Sequence, residues 1–289
     1  TWENAASFGF SDGSSHFYVK KRNTNDEEEP EHEGTDLILR NLREDFEELI
    51  GSVGEADFND GGTHLAFTVD AEGKDGNGLY LLDLAMGSRR GLDNARERYA
   101  RLTWSEKGDA LAVLRGEKPE QRVERENVLI AFRRVVGGSP IRIDVNATGN
   151  GGLVEGWVLS EKGSLVWNED ATMLFAATKQ QDDELEDWPE DDLPLADVNI
   201  WHWADERIQS EQEQSASRDG NRTHVAGVNL ERGTVVPLTD EGMRTVEITR
   251  DSWVMSHDDT EQKHVEKVHH GLHIDPRPDT VERTASPSY

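Results

Sequence analysis

Short apolar runs alternate with polar turns along this chain, and one arrangement returns at intervals. An aromatic residue ends a strand, a Ser/Asn-Asp/Glu turn follows, and a second apolar strand begins. The first copy is Phe8-Gly9-Phe10-Ser11-Asp12-Gly13 with His16-Phe17-Tyr18-Val19; the second is Ala56-Asp57-Phe58-Asn59-Asp60-Gly61 with Leu65-Ala66-Phe67-Thr68-Val69. The third is Leu102-Thr103-Trp104-Ser105-Glu106-Lys107-Gly108 with Leu111-Ala112-Val113-Leu114, and the fourth is Leu165-Val166-Trp167-Asn168-Glu169-Asp170 with Met173-Leu174-Phe175-Ala176. Val246-Glu247-Ile248 with Trp253-Val254-Met255 forms a weaker fifth copy. Each reads as a β-hairpin, because aromatic and β-branched residues fit a pleated surface and the turn residues accept positive φ.

A third strand follows each of the first four hairpins: Asp36 to Leu42, Gly78 to Leu84, Asn127 to Phe132 and Asp197 to Trp203. A fourth is visible around Arg90-Gly91-Leu92 and at Thr234 to Leu238. Four short strands per unit make a propeller blade. Phe10 to Phe58 is 48 residues and Phe58 to Trp104 is 46, within the ~40–50 of propeller repeats. Phe10, Phe58, Trp104 and Trp167 are therefore expected at equivalent, buried places in successive blades. The fold class that follows is all-β, with about four to five blades in residues 1–259, open or incomplete as a ring. Residues 260–289 show no strand pair and are expected to be an irregular tail.

Two acidic segments interrupt the cadence, Asn23 to Gly34 and Gln180 to Asp197. They read as solvated hairpin loops between second and third strands, with cation binding or gating as the other reading. Gln209 to Asn221 is a polar connector leading to the strand His224 to Leu230. The whole chain holds 31 basic and 59 acidic residues, a formal charge of -28. Such a field repels phosphate backbones and anionic bilayers, so nucleic-acid and membrane partners are disfavoured and none is expected. Arg outnumbers Lys by 22 to 9. Acid excess with scarce Lys fits a periplasmic or secreted setting better than a cytoplasmic one, and also fits a merely acidic surface. With no cysteine there is no disulfide, thiol catalysis or Cys-based zinc site. The chain opens with Thr1, and is expected to begin inside a longer protein.

The chemistry-bearing motifs mostly dissolve on inspection. Gly137-Gly138-Ser139-Pro140 lacks the second glycine of a nucleophile elbow, so no Ser-His-Asp triad is expected. Gly149 to Gly152 followed by Gly156 lacks the Lys-Ser/Thr of a phosphate loop and reads as a blade-connecting turn. His264, His269, His270 and His273 surround Glu266, but Gly271 breaks the helical 269/273 pair and no His-Glu-x-x-His order exists. Asp70 to Gly78 resembles a calcium loop without its closing Glu, and reads as a hairpin loop. Trp188, Trp201 and Trp203 read as packing residues, with a substrate-facing role as the alternative. No catalytic, cofactor-binding or metal-ligating residue is assigned, and no cofactor is expected.

Phe8 to Gly13, Gly78 to Leu84 and Leu102 to Val113 resemble the N-terminal propeller of prolyl-oligopeptidase-family (S9) serine peptidases. Residues 1–259 carry the resemblance, which rests on a cadence shared with TolB-like and WD40-like propellers. In that family the propeller caps an α/β-hydrolase domain and restricts access to short peptides, while the catalytic residues lie in the hydrolase domain. The resemblance thus implies a non-catalytic part of a proteolytic hydrolase. Its partners would be peptides and an α/β-hydrolase domain absent here. The alternative is a standalone TolB-like propeller that scaffolds protein–protein contacts. A carbohydrate-active propeller enzyme is a third reading, requiring paired carboxylates in a central pocket.

Overall fold

The computed structural model describes residues 3–24, 32–147, 152–184 and 220–239, and the backbone of four further strands between 245 and 286. The fold is all-β. Seven strands form the first sheet in sequence order: β1 (Ala5–Phe10), β2 (His16–Lys21), β3 (Thr35–Asn41), β4 (Phe46–Phe58), β5 (His64–Val69), β6 (Gly78–Asp83) and β7 (Ser88–Asn94). It is two blades joined through β4. The first half of β4 pairs β3, and its last residues pair β5 after a register shift between Val53 and Ala56. The third blade runs β8 (Arg98–Trp104), β9 (Leu111–Glu117), β10 (Glu126–Arg133) and β11 (Ile141–Val145).

In the fourth blade the first strand is split into β12 (Trp157–Leu159) and β13 (Leu165–Trp167). Both pair β14 (Met173–Gln180), which continues to β15 (His224–Asn229) and β16 (Thr234–Pro237). The third strand of this blade is thus β15, whereas Asp197 to Trp203, expected in that place, lies outside the described residues with Trp188 and most of Gln209 to Asn221. A fifth sheet orders β17 (Thr245–Ile248), β18 (Trp253–His257), β19 (His269–Ile274) and β20 (Val281–Ser286). Residues 260–289 therefore contain two paired strands rather than only an irregular tail. Polar residues and histidines dilute the apolar signal there, so the sequence pattern concealed the strands. His269, His270 and His273 lie on β19, where helical spacing does not apply; His264 and Glu266 lie outside the described residues.

The recurring turn explains why the hairpins form. Phe10 faces Phe17, Phe58 faces Leu65, Trp104 faces Leu111 and Trp167 faces Leu174, an identical loop length in all four. The next residue (Ser11, Asn59, Ser105 or Asn168) is buried each time. Its side-chain oxygen accepts backbone N–H bonds from the start of the following strand: His16 at 2.9 Å, Thr63 and His64 at 2.9 and 2.8 Å, Ala110 at 3.0 Å, and Thr172 and Met173 at 2.9 Å each. Buried donors that would otherwise be orphaned are satisfied in this way. Three residues further on the backbone turns left-handed, with φ of 51° at Ser14, 60° at Gly62, 66° at Gly108 and 51° at Ala171. At Gly62 a Cβ would lie 2.6 Å from the Asp12 carbonyl oxygen, so here glycine also lets one blade's turn rest on its neighbour's.

Three apolar clusters fill the spaces between successive blades. Tyr18, Leu37, Leu39 and Ile50 meet Phe58, Leu65, Phe67 and Leu82. Ala66, Leu79 and Leu81 meet Tyr99, Leu111, Val113 and Ile130. Ala112, Leu114 and Leu129 meet Trp167, Leu174, Ala176 and Val228. The repeated aromatics belong to the face that receives the preceding blade. Phe58 and Trp167 are accordingly buried, each 8% exposed, and Trp104 is half-buried. Phe10 departs from the expected burial at 58% exposed, because β1 belongs to the first blade and no described blade precedes it. The indoles also join blades by hydrogen bonds. Trp104 Nε1–H donates to the Asp57 carbonyl at 3.1 Å, and Trp167 Nε1–H to the Thr103 carbonyl at 3.3 Å. In both cases the acceptor precedes the aromatic of the previous blade.

Candidate functional site

The first strands β1 and β8 and the split β12/β13 pair on one edge only, β4 also pairs β3 through its first half, and β1, β4, β8 and β13 stand side by side at the inner edges. Three residues before each aromatic come Ser7, Glu55, Arg101 and Ser164. Regular pairing fails at this level in every blade: register shifts occur between Ala5 and Ser7, Val53 and Ala56, and Ala100 and Thr103, while the fourth blade has the break between β12 and β13. Bulges re-aim side chains and free backbone donors. Here Glu55 takes up those donors, its carboxylate accepting the Arg101 N–H at 3.0 Å and the Leu102 N–H at 2.7 Å. Arg101, at φ 60°, is exposed, and its Nε–H donates to the Glu161 carbonyl in the next blade.

A lattice of charges surrounds this edge. Arg98 pairs Glu33 at 2.6 Å, and Arg125 pairs Glu161 at 3.1 Å. Glu124, buried, accepts from Lys162 at 2.7 Å and Lys179 at 2.6 Å. Burial alone would raise the Glu124 pKa, but hydrogen bonds from the two lysines outweigh it and hold the carboxyl below its ordinary range. Burial lowers the Lys20 pKa, opposed by Glu33, Glu55 and Asp70. A hollow of about 420 Å³ lies in front of the first blades, lined among others by Ser7, Tyr18, Lys20, Glu55 and Leu102. Arranged like this, the edge can bind polar ligands, and its carboxylates are engaged as acceptors.

A second buried network welds the second and third blades further out. Asp93 on β7 accepts from Tyr99 Oη–H at 2.6 Å, Arg115 Nη1–H at 2.9 Å and Arg142 Nη1–H at 2.5 Å. Burial pushes the Asp93 pKa up, yet the three donors together bring it below the ordinary carboxyl range. Tyr99 is pushed up by burial and by its bond to Asp93.

Hydroxyl–imidazole contacts occur where the turn meets the second strand. Ser15 Oγ lies 3.0 Å from His16 Nδ1, and Thr63 Oγ1 lies 2.9 Å from His64 Nδ1, with His64 Nε2 3.8 Å from Asp83. Each pair is adjacent in sequence. Ser15 also meets Ser11 Oγ, and Thr63 meets Asn59, so both hydroxyls belong to the turn network. Burial lowers both histidine pKa values, which keeps the imidazoles neutral near pH 7. Ser139 lies exposed between β10 and β11. The Asp70 to Gly78 segment is the hairpin loop between β5 and β6, closed by Asn77 Oδ1 accepting from the Ala71 N–H at 2.7 Å. Among the described residues no group of three or more His, Asp or Glu side chains is placed to hold a metal ion.

Sequence reasoning did not single out Glu55, Arg101, Asp93 or Glu124. Aligning the copies on their aromatics puts Ser7, Glu55, Arg101 and Ser164 in one column. Their different types hide a shared place that only the bulges reveal.

The architecture is that of a β-propeller, an all-β array of four-stranded antiparallel blades. Among the solved structures it resembles are β-propeller domains of S9 peptidases and a TolB-like propeller. The propeller domain of the trilobed protease from Pyrococcus furiosus superposes with a TM-score of 0.43 at 12% identity, covering 93% of this chain and 66% of that one. A TolB-like protein from Agrobacterium tumefaciens gives 0.41 at 12%, covering 96% and 79%. The acylaminoacyl peptidase of Pyrococcus horikoshii gives 0.43 at 10%, covering 93% of this chain and 37% of that one. No family model matches the chain, and no curated protein matches it.

Proposed function

We propose that this chain is the non-catalytic propeller part of an S9-like serine peptidase. It would gate and filter peptide substrates for an α/β-hydrolase domain that lies outside the present sequence. The observation that carries the reading is the inner edge. Four adjacent strands bring a polar, bulged edge and a hollow of about 420 Å³ to one place, while the apolar surface is spent between blades. A site of this size suits short extended peptides rather than folded proteins. Paired cations and carboxylates offer partners to both charge types of a peptide.

The test is binding by the purified chain of fluorescent peptides of about 5 and about 40 residues of matched composition. Saturable binding of the short peptides that weakens with length supports the filter. No saturable binding at any length, or a preference for the long peptides, overturns it.

A further inference from the structure

We infer that Arg101 is the anchor for a peptide carboxylate at the inner edge, which deepens the peptide-filter reading and rests on it. Three observations converge on this residue. First, Arg101 is an exposed arginine held at φ 60°. Left-handed backbone is costly for a side chain with a Cβ, and it persists only where surrounding contacts over-determine it, as they often do at binding sites. Glu55 does so here, spending both carboxylate oxygens on the N–H groups of Arg101 and Leu102.

Second, the guanidinium is not neutralised. Its Nε–H bonds to a neutral carbonyl, that of Glu161, and among the described residues no carboxylate pairs with it. Neighbouring cations are accounted for: Arg98 by Glu33 and Arg125 by Glu161. Lys162 and Lys179 share the single carboxylate of Glu124. Glu55 and Asp57 add carboxylates at the hollow, so the available positive charge is local to the Arg101 guanidinium, in a chain whose formal charge is -28. Third, Arg101 precedes Leu102, which lines the hollow in front of the first blades. A peptide lying in that hollow can direct a carboxylate to the free fork of guanidinium N–H donors, whose planar geometry matches two oxygens at once.

The experiment titrates the intact chain with acetyl-trialanine as the free acid, with its C-terminal amide, and with acetyl-Ala-Glu-Ala-amide, at low ionic strength by calorimetry. The free acid is expected to bind at least about tenfold more tightly than the neutral amide. The glutamyl peptide reports whether a side-chain carboxylate serves as well as a terminal one, and tighter binding of either acid than of the neutral amide supports the anchor. Arg101→Gln should abolish that preference, with a small fall in the thermal melt from the lost Nε–H bond to the Glu161 carbonyl, while Arg101→Lys should restore part of the preference. Glu55→Gln should weaken the preference by loosening the bulge. Equal binding of acids and amide overturns the anchor and leaves the peptide-filter reading standing. Binding of none of the three, in a chain that does bind longer short peptides, also overturns the anchor; absence of all peptide binding removes the filter reading itself.

Discussion

Replacing Asp93 with asparagine should separate the second and third blades energetically, and the size of the effect follows from the geometry. The Asp93 carboxylate is 6% exposed and receives three donors, from Tyr99, Arg115 and Arg142. An amide offers one oxygen to these donors and turns its NH₂ toward another, so at least one bond is lost and a donor faces a donor. The negative charge between two arginines disappears as well. Removing one partner of a buried ion pair costs roughly 3–5 kcal/mol. Arg142 keeps Asp144 at 2.8 Å and is 38% exposed, so water and a second carboxylate soften the loss. The lower end, about 3 kcal/mol, is the expectation. At ~2–4 °C per kcal/mol for a chain of this class, the melting temperature should fall by roughly 6–12 °C.

The same substitution has a pH signature with a definite sign. The folded-state pKa of Asp93 is depressed, so its contribution is fully present above the unfolded value of about 3.9 and fades as pH falls through that value toward the folded one. The difference between wild type and Asp93→Asn should be flat from about pH 7 to 5 and shrink below about pH 4. Urea titrations at several pH values, followed by tryptophan fluorescence, measure it. A loss under about 1 kcal/mol at pH 7, or a difference that persists undiminished in acid, would refute the reasoning.

Other expectations are smaller in scope. Trp104→Phe keeps the ring but removes the Nε1–H bond to the Asp57 carbonyl, and should cost about 1–2 kcal/mol in denaturant titration, with Trp167→Phe similar. Asn168→Ala leaves the Thr172 and Met173 N–H groups unpaired, and a loss of roughly 2–4 kcal/mol is expected. Gly62→Ala combines positive φ with a Cβ 2.6 Å from the Asp12 carbonyl oxygen, so it should destabilise by more than about 1 kcal/mol; a neutral result would mean that the two turns can slide apart. A fluorophosphonate probe should leave Ser15 and Ser139 unlabelled, since Ser15 Oγ is held in the turn network with Ser11 and its sequence neighbour His16 and Ser139 lies exposed between β10 and β11; stoichiometric labelling of either would contradict this.

Much of the blade structure was legible in the sequence because it is local. An aromatic, a buried Ser or Asn, and a left-handed residue at fixed offsets specify a hairpin through bonds that span five residues or fewer, and that pattern survives in the order of side chains. The same locality explains the failures. Residues 260–289 hide β19 and β20 because their polar composition masks the period. Phe10 looks like Phe58 in sequence, yet it is exposed because burial depends on which blade lies in front of it, and a repeat motif does not state its own position in the array. The inner edge was least legible of all. Glu55, Arg101 and Glu161 come from three successive blades, and Asp93, Tyr99, Arg115 and Arg142 from four strands. Their meaning arises only when packing of the apolar faces sets blade against blade, which brings distant charges within 3 Å or leaves Arg101 with no carboxylate partner among the described residues. Sequence alone determined the hairpins and their repetition; the stacking of blades decided which polar residues meet, because electrostatic pairing depends on through-space distance that local patterns do not encode.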